Sequence, residues 1–175
     1  VDTLVVDKTG TLTEGSPTVT GIISLSPGGE ISLLRVTAAV EKGSQHPLGM
    51  AVVRAAHEKG IVIPAVSNFN APSGKGVSAD VEGQRVVIGN ELAMQENSIV
   101  IDNQKAVADT LRMEGATVIY VATGGHLAGL IAISDPVKAT TPDALKALRQ
   151  AGIRIVMLTG DNQLTAEAVA RKLGI

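Results

Sequence analysis

Along the chain the apolar positions come in two textures. Thr3-Leu4-Val5-Val6 is a short run rich in β-branched residues that stops at Asp7 and Lys8, a pattern that predicts a buried strand of a parallel sheet. The polar segment 7–13 then falls at the carboxyl end of that strand, where open α/β sheets place their ligands. Toward the other terminus Leu145 and Leu148 recur at helical spacing within 140–151, and Gly152 follows as a C-cap. Residues 153–158 form another continuous apolar strand, broken by Thr159-Gly160-Asp161-Asn162. After it Leu164, Ala168, Val169 and Leu173 trace an amphipathic helix that stops at Gly174. Both ends read as strand, polar loop and helix of one parallel sheet.

The middle differs. Helices are predicted over 31–42 and 48–59, separated by a break at 43–47. Beyond Pro64, strands at 77–81 and 85–88 face each other across Glu82-Gly83, a hairpin signal. A helix at 104–114 precedes strands at 117–122 and 127–133, joined at Gly124-Gly125. The expected fold class is α/β, with an α+β unit at 17–132 inserted into a parallel-sheet domain made of 1–16 and 133–175. No internal repeat or low-complexity linker interrupts this order.

Composition narrows the picture without redrawing it. The 175 residues are 45% hydrophobic and 18% charged, the balance of a chain that buries a core. That length accommodates one ordinary domain, or a small domain inserted in part of another. A net charge of −2 without blocks of like charge offers no electrostatic reason for nucleic acid or an anionic membrane surface as partner. A phosphate compound has to be held by local geometry. Cysteine is absent, which excludes disulfides and thiolate metal sites. His46, His57 and His126 lie far apart and lack a second ligand at metal spacing, so no transition-metal site is expected. The longest apolar stretches, such as 127–133, fall short of the roughly 20 residues that cross a bilayer, and no charged-then-apolar leader opens the chain. The expected behaviour is that of a soluble, cytosolic polypeptide.

The string Asp7-Lys8-Thr9-Gly10-Thr11-Leu12-Thr13 carries the strongest chemical signal. An aspartate at the end of a buried strand can attack a phosphoryl group in line, while the following loop turns its amides toward the phosphate oxygens. Gly10 lets the backbone come close, and the Thr9 and Thr11 hydroxyls supply donors. Lys8 adds positive charge, the direction of its side chain being left open. Taken singly these residues also fit a polar turn after a strand. As a string, DKTGTLT resembles the phosphorylation signature of P-type ATPases, a branch of the haloacid-dehalogenase-like phosphotransferases. The resemblance implies that Asp7 is the nucleophile. It also gives position 9 a meaning: related free phosphatases carry a second aspartate there, which protonates the leaving group and then activates water, whereas this chain has Thr9. Without that carboxylate an aspartyl phosphate should hydrolyse slowly, which suits an intermediate that persists while another part of a pump moves.

Other motifs take their meaning from the same resemblance. Thr159-Gly160-Asp161 is similar to the second family loop, whose threonine hydroxyl contacts the phosphoryl group; by itself such a trio before a helix is also an N-cap. Asp135-Pro136 resembles the hinge dipeptide where an inserted domain returns, and on its own is a turn. Ser44-Gln45-His46-Pro47-Leu48 resembles the Ser-x-His-Pro-Leu element of the heavy-metal-transporting branch, in which the histidine ring packs against adenine. Its other reading is a helix start with proline in the first turn. With only Phe69 and Tyr120 as aromatic residues, few rings are available to stack on a base. Glu41 matches a family glutamate at the adenine amino edge, and by itself reads as a glutamate on a helix surface. Gly74, Gly76, Gly89 and Asn90 match the floor of the family's nucleotide pocket, where missing Cβ atoms let adenosine approach the backbone. His57 and His126 have no match and read as surface residues.

The resemblance thus implies ATP and Mg²⁺ as cofactors, with the Asp7 carboxylate and the Thr9 backbone carbonyl as Mg²⁺ ligands. The cargo it implies is a heavy metal, most similar to that of Cu(I)/Ag(I) exporters, with zinc and cadmium pumps as runner-up. Implied partners are transmembrane and actuator domains of the same polypeptide and, for a full pump, a metallochaperone, with this part on the cytoplasmic side of a membrane. The family continues past Thr-Gly-Asp to a phosphate-neutralising lysine and a Gly-Asp-Gly-x-Asn-Asp loop. Gly174-Ile175 precede both, so a fragment that holds nucleotide and phosphorylates itself poorly is expected. Two rival readings explain less: a soluble phosphatase leaves Thr9 unaccounted for, and a non-catalytic nucleotide-binding or interaction module leaves the intact Asp7 to Thr13 string without a reason.

Overall fold

The computed structural model describes residues 2–175. Strand β1 (Thr3–Asp7) runs into a tight turn that closes when the Thr13 N–H returns to the Lys8 carbonyl at 3.1 Å. Gly10 sits in that turn at φ 78°, a left-handed conformation glycine adopts without steric cost. The chain then makes β2 (Thr18–Ser24), α1 (Gly29–Glu41), α2 (Pro47–Glu58), β3 (Val66–Asn70), β4 (Val77–Val81) and β5 (Gln84–Gly89). Helices α3 (Glu91–Glu96) and α4 (Asp102–Met113) precede β6 (Thr117–Thr123) and β7 (His126–Ser134). Strands β2 to β7 form one antiparallel sheet in the order β2-β7-β6-β5-β4-β3.

Both faces of this sheet are covered. Helices α1 and α2 bury Leu34, Val40 and Val52 against Ile88, Val121 and Ile131. On the other face α3 and α4 bury Met94 and Ala108 against Val87, Tyr120 and Leu130. Successive side chains of a strand point to opposite faces, so Val118 and Tyr120 enter one core while Ile119 and Val121 enter the other. The nearly unbroken apolar runs in β5, β6 and β7 follow from that double burial.

The chain returns through α5 (Thr141–Gln150), β8 (Arg154–Leu158) and α6 (Gln163–Leu173). Strand β8 pairs with β1 in parallel, from Thr3 opposite Arg154 to Asp7 opposite Leu158. Leu12, Leu145 and Leu173 cover one face of this pair, against Val6, Ile155 and Met157. The other face carries Val5, 60% exposed, and Leu158, 62% exposed, which corrects the expectation of a strand buried on both sides. The helices here reach one face only, and the apolar run of β1 alternates in burial instead of being enclosed.

Three elements have no counterpart in the predicted string. In β2, Gly21 follows a bulge after Val19 that breaks the alternation. Polar β3 is an edge strand, exposed at every position after Val66, so it carries no burial signal. Helix α3 is six residues long, under two turns, too short for helical periodicity to show. The two passages between the sheets are laced together. Thr13 bridges to Val137, and the Glu14 N–H donates to the Pro136 carbonyl at 2.8 Å. Asp135 accepts from the Thr13 hydroxyl at 2.5 Å and from the Ser16 N–H at 3.1 Å. Asp135-Pro136 is therefore a clasp across both passages rather than a free turn. No helix among the described residues is long and apolar enough to cross a membrane.

Candidate active site

Because β1 and β8 are parallel and in register, the loops after Asp7 and Leu158 leave the sheet side by side. Asp7 is exposed, and its side chain makes no capping hydrogen bond to the turn that follows. Lys8 turns inward: it is 7% exposed, and its Nζ lies 2.6 Å from Asp161 Oδ2. The same oxygen accepts the Thr159 hydroxyl at 2.8 Å, and Oδ1 accepts the Thr117 hydroxyl at 3.1 Å. Burial pushes the Asp161 carboxyl up, but the Lys8 ammonium and the two hydroxyls outweigh it and hold the group below the ordinary carboxylate value. The Thr159 hydroxyl proton is thus directed at Asp161 in this arrangement. The turn after Asp7 is pinned from outside: Lys138 Nζ donates to the Gly10 carbonyl at 2.6 Å, and Thr13 Oγ1 accepts the Gly10 N–H at 3.2 Å.

A cleft of about 990 Å³ opens from Lys8, Thr9 and the Thr159-Gly160-Asp161 loop toward the α1–α2 junction and the β4–β5 hairpin. Glu41, His46, Gly74, Gly76, Gly89 and Asn90 all line it. The sequence-named residues Lys8, Thr9, Glu41, His46, Gly74, Gly76, Gly89, Asn90, Thr159, Gly160 and Asp161 therefore border one continuous space, while Asp7, Gly10 and Thr11 lie outside its lining, Asp7 adjoining it through Lys8.

His46 is the N-cap of α2, its Nδ1 accepting the Leu48 N–H at 3.2 Å. In the neutral ring the proton therefore resides on Nε2. Asn90 caps α3 by accepting the Ala93 N–H through Oδ1 at 3.0 Å, which leaves its side-chain N–H₂ to donate into the cleft. Helix capping thus sets the orientation of both side chains. The glycines divide into two kinds. A Cβ on Gly76 would lie 2.1 Å from the Ile88 carbonyl oxygen, and one on Gly89 would lie 2.6 Å from Ala93 Cβ, so these two are demanded by the protein's own packing. A Cβ on Gly74 would meet nothing within 4 Å, so only its φ of 73° and the open cleft bear on it.

Glu41 is 7% exposed, and a Cβ on Gly49 would stand 2.2 Å from its Oε2. Burial raises its carboxyl from 4.5 to about 7, against a smaller opposing hydrogen bond from Ser44. An acid held above its unfolded value binds its proton more tightly when folded, so it favours the fold most fully below the unfolded value. That contribution is lost as pH rises from 4.5 to about 7 and is gone above it. The loss is about 3 kcal/mol. Urea unfolding of Glu41→Gln should therefore lack that decline, so that the variant gains about 3 kcal/mol on the parent chain between pH 4.5 and 8. Parallel profiles would show that Glu41 ionises freely in the fold.

Sequence reasoning missed several residues of the cleft wall. Thr117 opens β6 and contacts Asp161. Arg112, 3% exposed, bonds Glu91 and Asp109 at 2.8 Å each and lies 5.7 Å above the Tyr120 ring. A threonine at a strand start and an arginine in an amphipathic helix carry no signal in sequence. His57 and His126 are exposed, as expected.

A family model described as haloacid dehalogenase-like hydrolase matches residues 1–175. The chain is 94% identical over 175 residues to the silver exporting P-type ATPase of Salmonella typhimurium, covering 100% of this chain and 21% of that protein. It is 49% identical over 177 residues to the copper-exporting P-type ATPase of Legionella pneumophila, covering 100% and 24%. A zinc-transporting PIB-type ATPase in its E2.Pi state aligns at TM-score 0.76 and 36% identity, over 100% of this chain and 28% of that one. The catalytic domain of a CPx-ATPase, studied for its changes upon nucleotide binding, aligns at TM-score 0.70 and 28% identity, over 100% and 59%. The chain spans about a fifth to a quarter of the length of the curated relatives it matches.

Proposed function

Since the chain belongs to the haloacid dehalogenase-like hydrolases, we propose that its cleft binds ATP and that Asp7 accepts the γ-phosphate, as the energy-converting part of a heavy-metal P-type ATPase. The observation that carries this is the single cleft joining Glu41, His46 and Gly74 to the loops beside Asp7. In this reading residues 17–132 form the nucleotide-binding unit, while 1–16 and 133–175 form the phosphorylation unit.

The transfer follows from the residues present. An Asp7 carboxylate oxygen attacks the γ-phosphorus, the bond between that phosphorus and the β–γ bridging oxygen breaks, and the electron pair leaves with ADP. Free of a capping hydrogen bond, the Asp7 carboxylate keeps its lone pairs available, whereas Asp161 is committed to Lys8, Thr159 and Thr117. The donor set suits Mg²⁺: Asp7 and the Thr9 carbonyl offer oxygen only, and Mg²⁺ is commonly held by one or two carboxylates with phosphate oxygens and water completing the shell. When bound, Mg²⁺ would neutralise charge on the transferring phosphoryl group.

The silver- and copper-exporting relatives favour Cu(I) or Ag(I) as the cargo, and the likeness to a zinc-transporting pump keeps zinc as the alternative. Metal choice would rest with transmembrane segments; these, an actuator domain and a metallochaperone are the proposed partners. Calorimetric titration tests the adenine pocket. ATP should bind saturably, GTP at least tenfold more weakly, and His46→Gln should weaken ATP by about tenfold, since stacking on a base is worth roughly 1–3 kcal/mol. Binding indifferent both to the base and to His46 would remove the nucleotide assignment.

A further inference from the structure

Asp161 does not belong to one sheet alone. Its Oδ2 holds Lys8 at 2.6 Å and Thr159 at 2.8 Å, both on the β1–β8 side, while Oδ1 takes the Thr117 hydroxyl at 3.1 Å from the first residue of β6. The neighbouring backbone is docked as well. Thr165, 1% exposed on α6, donates to the Ala116 carbonyl at 2.7 Å, and the Lys172 ammonium meets the Glu114 carbonyl. The turn before β6 is thereby seated along α6, two of its carbonyls satisfied by the other unit. Strand β6 also pairs with β5 at Gly89 opposite Tyr120. One backbone ladder and three side chains thus lead from the floor of the cleft at Gly89, through Thr117 and Asp161, to the ammonium of Lys8, the residue next to Asp7.

We infer that Thr117 is a positioning residue: its hydroxyl fixes the Asp161 carboxylate, and so aims Lys8 beside Asp7, only while the six-stranded sheet is docked on α6. The inference rests on the proposed function for its meaning, because it ties the nucleotide-bearing sheet to the phosphoryl-accepting loop. A hydroxyl donating to a part-buried carboxylate is a charge-assisted bond, stronger than one between neutral groups. Its loss should free Asp161 Oδ1 and loosen the Lys8 pair without touching the His46 end of the cleft.

Thr117→Val preserves shape and removes the hydroxyl, while Thr117→Ser preserves the hydroxyl. In ¹⁵N-labelled protein the Lys8 ammonium protons should exchange slowly in the parent chain, at least tenfold faster in Thr117→Val, and at near-parental rate in Thr117→Ser. Ammonium exchange unchanged in Thr117→Val, or equally accelerated in Thr117→Ser, would overturn the inference. Should Thr117→Val not fold, the parent chain decides: a Thr117 hydroxyl proton protected from exchange supports the bond, and the absence of that protection refutes it. Failure of ATP to bind the parent chain would sink the nucleotide reading while leaving the Lys8 result to stand or fall separately.

Discussion

Asp7→Asn should abolish the acid-stable, hydroxylamine-sensitive phosphate that labelled ATP deposits on the protein, with a loss of at least about a thousandfold. The side chains are nearly the same size, and Asp7 supplies no cap to the turn after it, so the fold should be indifferent to the change. What disappears is the proposed anionic nucleophile. ATP binding should be unchanged or somewhat tighter, because a negative charge that repels the triphosphate has been removed. Lys8 cannot substitute as acceptor, since its ammonium is already held by Asp161 at 2.6 Å. The assay belongs in a longer polypeptide that carries this chain with its proposed membrane and actuator parts, quenched in acid after a few seconds. Phosphate appearing at the parental level in Asp7→Asn would show that another residue is the acceptor, and would end the P-type reading of the cleft.

The second large effect separates two glycines that look alike in sequence. Gly76→Ala should destabilise the chain by about 4 kcal/mol, made up of roughly 1–2 kcal/mol for a left-handed alanine and roughly 1–3 kcal/mol for overpacking. The overpacking arises because the new Cβ would lie 2.1 Å from a backbone oxygen of β5, and a backbone cannot rotate away as a side chain can. For a chain of this size the melting temperature should drop by about 10 °C. Gly74→Ala carries a similar φ but meets nothing within 4 Å, so its stability cost should stay near 1 kcal/mol. Its cost should instead be read in ATP affinity, because the added methyl projects into space the ligand would use. Thermal melts and ATP titrations of the two variants therefore make opposite pairs. Equal loss of stability in both would mean that the hairpin relaxes around Gly76.

The glycine pair also shows where reading by resemblance was incomplete. Gly76 and Gly89 were expected to be bare so that adenosine could approach; in the fold each also excludes a side chain on account of the other, a Gly89 Cβ standing 3.2 Å from Gly76 Cα. Protein packing by itself demands glycine at both positions, and the sequence has no means of telling that demand from the proposed approach of a ligand.

Much of the architecture was legible in the chain because it depends on local spacing. Runs long enough to express a period of two or of 3.6 emerged within a few residues of their observed bounds, as for α2, β4, β8 and α6. The Asp7 to Thr13 string was legible because seven residues in a row specify one turn, with Gly10 at its left-handed position. The tertiary structure decided what depends on residues distant in sequence meeting in space. It turned Lys8 inward to Asp161, set Thr117 against that carboxylate, buried Glu41 until its carboxyl titrates near 7, and left Val5 and Leu158 uncovered. Lys8 and Asp161 lie in the loops that follow the two neighbouring strands of one parallel pair, yet the whole six-stranded sheet separates them along the chain. Spacing along a chain determines which face a side chain occupies; which charge it meets there is settled only when strand register and helix docking close that distance, since a carboxylate's pairing and its proton affinity are properties of its surroundings.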